Sequence, residues 1–181
     1  MPAKPAPVPT LATRRLTLRQ FTPRDLAGLH ACFGDPAAMR YWDGPPSETL
    51  DDTAKTLRWM SKATSPYNYL VWAVARTSDD ACIGMVNYHN REARHRRVDI
   101  GYIIAPQHQR RGYAREAVGA LIGYCEGTLR VHRMQALIQP ENTASIGLVE
   151  GLGFVREGGV LRDHVLVGER WAGVMVFGRV G

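Results

Sequence analysis

The chain has 181 residues, with 23 Lys and Arg against 17 Asp and Glu, and a formal net charge of +6. This length suits one domain of ordinary size, and 45% hydrophobic with 22% charged residues excludes a disordered, collagen-like or coiled-coil protein. No apolar run approaches the roughly 18 residues that cross a bilayer, and the lead MPAKPAPVPT lacks the apolar segment of a secretory signal. Three widely spaced cysteines, Cys32, Cys82 and Cys125, predict a reducing cytoplasm and no metal knot.

Most of the positive charge lies in one stretch of the chain. Twenty of the 23 basic residues are Arg, and the window 91–115 holds seven Arg against Glu92 and Asp99. Such a stretch indicates a nucleic acid, an anionic membrane, a phosphate-bearing ligand or only a solvated face. Four of these Arg fall in one polar connection and have no assigned role: Arg91, Arg94, Arg96 and Arg97.

The first half of the chain begins with residues 1–12, whose Pro/Ala-rich composition predicts a flexible tail before a single domain over residues 13–181. Alternating polarity predicts a strand over 15–21. Thr22-Pro23 predicts the start of a helix, with Thr22 as its N-cap, and Gly34-Asp35-Pro36 predicts its end. A second amphipathic helix is predicted over 47–60, with Ser47 as its cap.

The second half of the chain mixes strands and helices. Three strands joined by short turns, over 69–76, 82–89 and 98–104, predict an antiparallel meander. Further elements are predicted in this order: a helix over 113–124, a strand over 134–139, a helix over 143–150, and strands over 154–157 and 171–177. This order predicts an α+β domain built around one mostly antiparallel sheet.

A short basic loop between the third of these strands and the next helix is the most informative segment. The strand stops at Pro106, and the helix begins just after Gly112. The first N–H groups of a helix have no intrahelical partner and carry partial positive charge from the helix dipole. The loop therefore predicts an anion site, most often filled by pyrophosphate. A Walker loop and a dinucleotide fingerprint are excluded because neither glycine pattern is present.

Two motifs resemble the GNAT N-acetyltransferase superfamily. The stretch from Gln109 to Ala114 (QRRGYA) is similar to its acetyl-CoA-binding pattern, Q/R-x-x-G-x-G/A. The segment PENTAS, ending at Ser145, with a later Gly-Phe at 153–154, resembles its P-x-N-x-x-S…G-F signature. The tetrapeptide MRYW at 39–42, followed by two prolines, resembles the RimJ/RimL-like branch of ribosomal-protein alanine acetyltransferases. The resemblance covers roughly residues 13 to 179.

The resemblance implies a GNAT fold, in which the fourth and fifth strands of a mixed, mostly antiparallel sheet splay apart between about four helices. Those strands correspond to 98–104 and 134–139, and acetyl-CoA is expected as co-substrate between them. Backbone groups of Ile103 and Ile104 are expected to pair with its pantetheine arm. The other residues expected at the cofactor are Gln109, Arg110, Arg111, Gly112, Tyr113, Ala114, Arg115 and Asn142.

The resemblance also implies direct attack of a primary amine on the thioester, the amine being a protein N-terminal α-amine or a small molecule. Ser145 is expected to protonate the departing thiolate, with Asn142 near the sulfur and Asp99 as a further catalytic group. A free lysine amine has a pKa of about 10.4 and an α-amine about 8, so a base must first remove a proton. Asp99, Glu141, His164 and water remain alternatives for that base.

The acceptor side carries the least specific signals. Tyr41, Trp42 and His164 are the expected substrate-binding residues, although the branch carries Glu where this chain has His164. Each also has a structural reading: the aromatics pack in the core, and the histidine lies on the surface. Asn142 is equally a helix N-cap, and Cys125 is expected to be a packing residue.

Two functions compete with catalysis, namely a CoA-binding regulator without activity and a basic module that binds RNA or the ribosome. The absence of any RNA-binding motif and of aromatic residues among the Arg argues against nucleic acid. No metal and no membrane partner is expected, and a homodimer is left open.

Overall fold

The computed structural model describes residues 8–62, 64–65 and 68–181. The strands of these residues are β1 (Leu11–Ala12), β2 (Leu16–Arg19), β3 (Thr64–Ser65), β4 (Tyr69–Arg76), β5 (Cys82–Glu92), β6 (Arg97–Ile104), β7 (Arg133–Ile138), β8 (Val155–Val167) and β9 (Arg170–Val180). The helices are α1 (Leu26–Phe33), α2 (Pro36–Met39), α3 (Leu50–Lys62), α4 (Tyr113–Gly127) and α5 (Thr143–Glu150).

The strands form one mixed sheet in the order β1-β2-β4-β5-β6-β7-β9-β8, with β3 paired to β4 at the side. Strands β6 and β7 run parallel, and the other pairs within the described residues are antiparallel. The parallel pair arises because α4 connects the two strands as a crossover helix. The predicted α+β class and mostly antiparallel sheet are confirmed.

Strands β6 and β7 form a fork. They pair at three positions, Arg97 with Arg133, Val98 with Met134 and Asp99 with Gln135. Beyond Asp99 the register shows no further pair in the described chain, although β6 continues to Ile104. The splayed strands that the sequence predicted are therefore confirmed, and the edge of β6 that faces β7 is open from there onward.

Helices cover both faces of the sheet. Helices α4 and α5 pack on one face, where Trp72, Leu121 and Phe177 are fully buried. Helices α1 to α3 pack on the other face, around Leu29 and Met85. Because side chains alternate along a strand, neighbouring residues of β6 belong to opposite layers. The fork is thus accessible to different groups from its two faces.

The predicted tail is wrong for residues 8–12. Val8 is buried, β1 pairs with β2, and the Trp72 indole N–H donates to the Pro9 carbonyl at 2.6 Å. A proline keeps its carbonyl as an acceptor, so this lead can be anchored although it lacks an apolar pattern. Residues 1–7 of the predicted tail lie outside the described residues.

Several predicted boundaries shift for local reasons. The helix predicted over 47–60 begins at Leu50, since Thr49 caps it by exchanging hydrogen bonds with Asp52. The helix predicted from Pro23 opens with a 3-10 turn, and the short α2 follows where only a stop was predicted. Five helices are present in the described chain, against the four expected.

The last hairpin is longer than predicted. Strand β8 covers 13 residues where only 154–157 was predicted, and β9 extends beyond 171–177. Nearly every residue of β8 is exposed, so its sequence has no buried face to produce an apolar pattern. Strand β5 likewise runs on to Glu92 and shortens the polar connection. Among the described helices, none is long and apolar enough to span a membrane.

Candidate active site

The basic loop has the backbone geometry of an anion site. Gly112 is the N-cap of α4 and has a φ of +79°, while Arg110 has a φ of +61°. No side chain caps this helix within the described chain. The first N–H groups of α4 therefore point out of the helix with its positive dipole end. Gln109 closes the loop by donating from Nε2 to the Ile104 carbonyl at 2.8 Å.

Arg15, in the connection between β1 and β2, contacts this loop. Its Nη1 donates to the Arg111 carbonyl at 3.0 Å, its Nε donates to Glu116 at 2.7 Å, and its guanidinium lies 4.7 Å from the Tyr113 ring centroid. Burial opposes ionisation of Glu116, but hydrogen bonds from Thr13 and Arg15 outweigh it and lower the pKa of this carboxyl. No local motif in the sequence connects Arg15 to a loop so distant along the chain.

The three predicted phosphate-side arginines occupy different positions. Arg110 and Arg111 are exposed at the rim of the loop. Arg115 instead donates from Nη1 to the Gly151 carbonyl at 3.0 Å, which closes the C-terminal end of α5. Arg115 therefore joins the two helices that flank the fork.

The two residues predicted to make backbone contacts with the cofactor, Ile103 and Ile104, face opposite edges of β6. The N–H of Ala105 donates to the Ile83 carbonyl in β5 at 2.9 Å. Backbone groups of an antiparallel strand alternate between its two neighbours. Ile103 therefore turns its groups to β5, and Ile104 turns its groups toward the fork. The expectation for Ile103 is corrected, while that for Ile104 fits the strand geometry.

On the α4–α5 face, Tyr102 meets Ser145. Their hydroxyl oxygens are 2.6 Å apart, and burial raises the pKa of Tyr102 to about 12. Asn142 Oδ1 accepts from the Ser145 N–H at 3.2 Å, so Asn142 is the N-cap of α5. Tyr102 was missed by the sequence analysis, although strand alternation places it on this face.

On the opposite face, Asp99 is buried at the last paired position of the fork. It accepts from Asn90 Nδ2 at 2.9 Å and lies directly opposite His89 in the β5–β6 register. Burial lowers the pKa of His89, against the opposing fields of Asp99 and Asp43. The His89 imidazole and the Asp99 side chain thus lie side by side there.

The residues predicted to bind the acceptor do not all lie close together in the structure. Tyr41 donates to the Glu141 carbonyl at 3.1 Å, next to Asn142. Trp42 packs edge-on against Phe33 with ring centroids 5.6 Å apart and lines a cavity of about 470 Å³. His164 is exposed on β8, which β9 separates from β7. The structure therefore does not bring His164 to the fork.

The remaining arginines form a second basic region at the opposite end of β6. Arg96 has a φ of +50° and donates from Nε to the Arg130 carbonyl at 2.7 Å. Its own carbonyl accepts the N–H groups of His132 and Arg133. Arg96 thus holds the connection between α4 and β7, and this region is separate from the basic loop.

The three cysteines are buried and free. Burial raises the pKa of Cys125 to about 12, which suits the predicted packing role. In the part of the chain that the structure describes, no three His, Cys, Asp or Glu side chains gather in a way that could hold a metal ion.

Comparisons with known proteins converge on one family. The sequence profile of the Acetyltransferase (GNAT) domain matches residues 15–155. The uncharacterized N-acetyltransferase YoaA of Bacillus subtilis is 31% identical over 157 residues, which cover 87% of this chain and 88% of that protein.

Solved structures agree in fold. Spermidine N-acetyltransferase from Vibrio cholerae, in complex with CoA and spermine, has a TM-score of 0.78 at 26% identity and covers 93% of this chain and 96% of its own. The ribosomal-protein-S5-alanine acetyltransferase from Vibrio fischeri has a TM-score of 0.79 at 19% identity, covering 95% of this chain and 96% of its own, and indicates the fold alone.

Proposed function

The chain belongs to the GNAT acetyltransferase family and is an acyltransferase, and from this premise we propose that it transfers an acetyl group from acetyl-CoA to a primary amine. The observation that carries this proposal is the fork between β6 and β7. Its open edge leads to the uncapped start of α4 at one end, and Asp99 and the Tyr102–Ser145 pair lie on its two faces. Attack in a ternary complex is then largely a matter of positioning.

The residues around the fork fit acetyl-CoA. The α4 start at Gly112 offers backbone N–H groups to a pyrophosphate, and Arg110 and Arg111 add charge at its rim. The Ile104 N–H faces the place of a pantetheine arm, while its carbonyl accepts from Gln109, and an N–H on this edge would stabilise a developing oxyanion. The other proposed neighbours of acetyl-CoA are Tyr113, Ala114, Arg115 and Asn142. When bound, acetyl-CoA supplies the activated acetyl group.

The hydroxyl pair on the α4–α5 face is proposed to supply the proton for the leaving thiolate. Ser145 is the donor, and the Tyr102 hydroxyl, 2.6 Å away, restores its proton. The raised pKa of Tyr102, about 12 because of burial, keeps that hydroxyl protonated at neutral pH. A thiol has a pKa of about 8.5, well below that of Tyr102, so the sulfur can also leave as a thiolate that the hydroxyl pair stabilises by hydrogen bonding.

Asp99 is proposed to accept the proton of the amine. It is the base candidate that lies at the fork, whereas His164 lies on β8 and the Glu141 side chain is exposed. Tyr41 and Trp42 are proposed to border the acceptor, since Tyr41 reaches the loop that carries Asn142.

The acceptor is proposed to be a protein N-terminal α-amine or a small-molecule amine. The MRYW and PENTAS segments favour the RimJ/RimL-like branch, and the spermidine acetyltransferase among the similar proteins favours a small molecule. We also propose a cytoplasmic location, supported by three free cysteines, and a homodimer, for which the exposed apolar residues of the last hairpin offer a surface: Leu161, Leu166 and Trp171.

Replacement of Gly112 tests the cofactor assignment. Gly112→Glu places a charged side chain at the proposed phosphate site and should abolish acetyl-CoA binding measured by calorimetry. Gly168→Glu is the matched control, because Gly168 also has a positive φ, +61°, and open space around its Cβ position. Both variants carry the same added charge at a glycine with a positive φ, so unchanged affinity in Gly112→Glu would contradict the assignment.

A further inference from the structure

Two buried oxygens on the α1–α3 face of the fork have no hydrogen-bond partner among the residues that the structure describes. They are Oδ1 of Asn87 and Oδ1 of Asp99. The two residues are only 6% and 5% exposed. Buried acceptors without a partner are rare because they lose their water without compensation. Both atoms therefore point to a ligand that donates hydrogen bonds.

The β5–β6 register places these oxygens close together. Asn87 lies opposite Gly101, and Asp99 precedes Gly101 by two positions on the same face. Such diagonal neighbours have Cα atoms about 7–8 Å apart, so one small group can reach both side chains. The Cβ of any other residue at position 101 would lie 2.6 Å from Asn87 Oδ1. Glycine at this position leaves the Asn87 amide in place.

Neighbouring side chains orient both groups. Asn87 Nδ2 donates to the Tyr69 hydroxyl at 3.3 Å, which leaves its oxygen as the accepting atom. Asn90 donates to Asp99 Oδ2 at 2.9 Å, which leaves Oδ1 as the atom without a partner. Each side chain is thus held by a hydrogen bond at one polar atom, and its Oδ1 is available to a ligand.

We propose that Asn87 and Asp99 hold the acceptor amine, each accepting one of its two N–H groups; this rests on the proposed function. A neutral primary amine engaged in this way keeps its lone pair free for the thioester carbon. The N–C bond then forms and the C–S bond breaks. One amine proton passes to Asp99, the departing sulfur takes a proton from Ser145, Tyr102 restores that proton, and exchange with solvent returns Asp99 and Tyr102 to their starting states. Asn87 is accordingly a substrate-binding residue of the acceptor site.

Asn87 and Asp99 together favour acceptors whose reacting group donates two hydrogen bonds. A hydroxyl or a secondary amine donates one hydrogen bond and leaves one buried oxygen without a partner, which penalises its binding.

The test uses the full chain and compares Asn87→Leu with the wild type. The acceptor is the amine that gives the most CoA release from a panel of spermidine and N-terminal Ala and Ser peptides, together with its N-methyl analogue. Asn87→Leu should lower kcat/KM for the primary amine about 10-fold to 100-fold and reduce the preference over the N-methyl amine, with the acetyl-CoA Kd unchanged.

Gly101→Ala should reproduce this defect because the new Cβ displaces the Asn87 amide. Gly119→Ala is its control, since nothing lies within 4 Å of that Cβ position in α4. A wild type that acetylates no amine would contradict the proposed function itself. An active wild type whose amine preference is the same in Asn87→Leu and Gly101→Ala would overturn the acceptor pair alone.

Discussion

At the scale of single residues, the proposed chemistry depends on pairs that the fork brings together from distant parts of the chain. Ser145 follows a recognisable motif, but its partner Tyr102 lies in a strand whose sequence reads as ordinary core. Asp99 is similar, because its proposed role follows from its position at the last paired residue of the fork. Motifs thus indicate individual groups, and the structure supplies their partners.

The hydroxyl pair gives a residue-scale prediction. Ser145→Ala should lower kcat by about 100-fold, the scale of general acid catalysis, and leave the acetyl-CoA Kd unchanged. Tyr102→Phe should lower kcat less, and the double variant should match Ser145→Ala because both residues act in one proton path. Single-turnover rates and calorimetry measure these effects. Unaltered turnover in Ser145→Ala would remove it as the acid.

At the scale of elements, capping and ion pairs determine where segments begin. Asp25 is buried, and Arg19 donates to it through both Nη atoms, at 2.8 and 2.9 Å. The Thr22 N–H adds a third hydrogen bond, at 2.7 Å. This carboxylate therefore joins β2 to the start of α1.

Loss of that carboxylate should destabilise the fold. Asp25→Asn leaves the Arg19 guanidinium with only the exposed Asp80 as its carboxylate partner and should cost about 1.5–3 kcal/mol in urea unfolding at pH 7. Burial acts to raise the pKa of Asp25, but the hydrogen bonds from Arg19 and Thr22 prevail and the pKa is lowered. Its stabilisation is therefore full above the ordinary Asp range and is lost as the pH falls through the folded pKa.

In Asp25→Asn, the free energy of unfolding should accordingly fall less steeply as the pH is lowered into the acid range. Asp79→Asn, which removes an exposed carboxylate paired with Arg76, is the matched control and should change stability little. Equal losses of unfolding free energy in the two variants would show that the buried Arg19–Asp25 pair stabilises the fold no more than the exposed pair does.

The elements also show what sequence patterns can predict. The strand over 69–76 and the helix over 143–150 are confirmed at both ends, since each has a clear apolar face and a turn or cap at its limits. Strand β1 was missed because two residues are too short for a period, and most of β8 was missed because it is exposed. Tertiary contacts, which a local pattern does not contain, decide both cases.

At the scale of the whole molecule, the fork organises the site and the charge. Of the net charge of +6, the seven Arg and two acids of the window 91–115 contribute +5, and these Arg divide between the loop at the C-terminal end of β6 and the turn at its other end. The loop charge faces the proposed phosphate site, whereas Arg96 in the turn holds a backbone connection. Motif resemblance gave the residues of the proposed cofactor side, whereas no motif pointed to Asn87 of the proposed acceptor pair.

The most direct test of the account is a CoA-release assay of the full chain against the amine panel named above. We expect release that depends on the acceptor, that exceeds the hydrolysis of acetyl-CoA alone, and that falls in Ser145→Ala. Acetyl-CoA binding without acceptor-dependent release from any primary amine would contradict the central claim and favour a non-catalytic CoA-binding regulator.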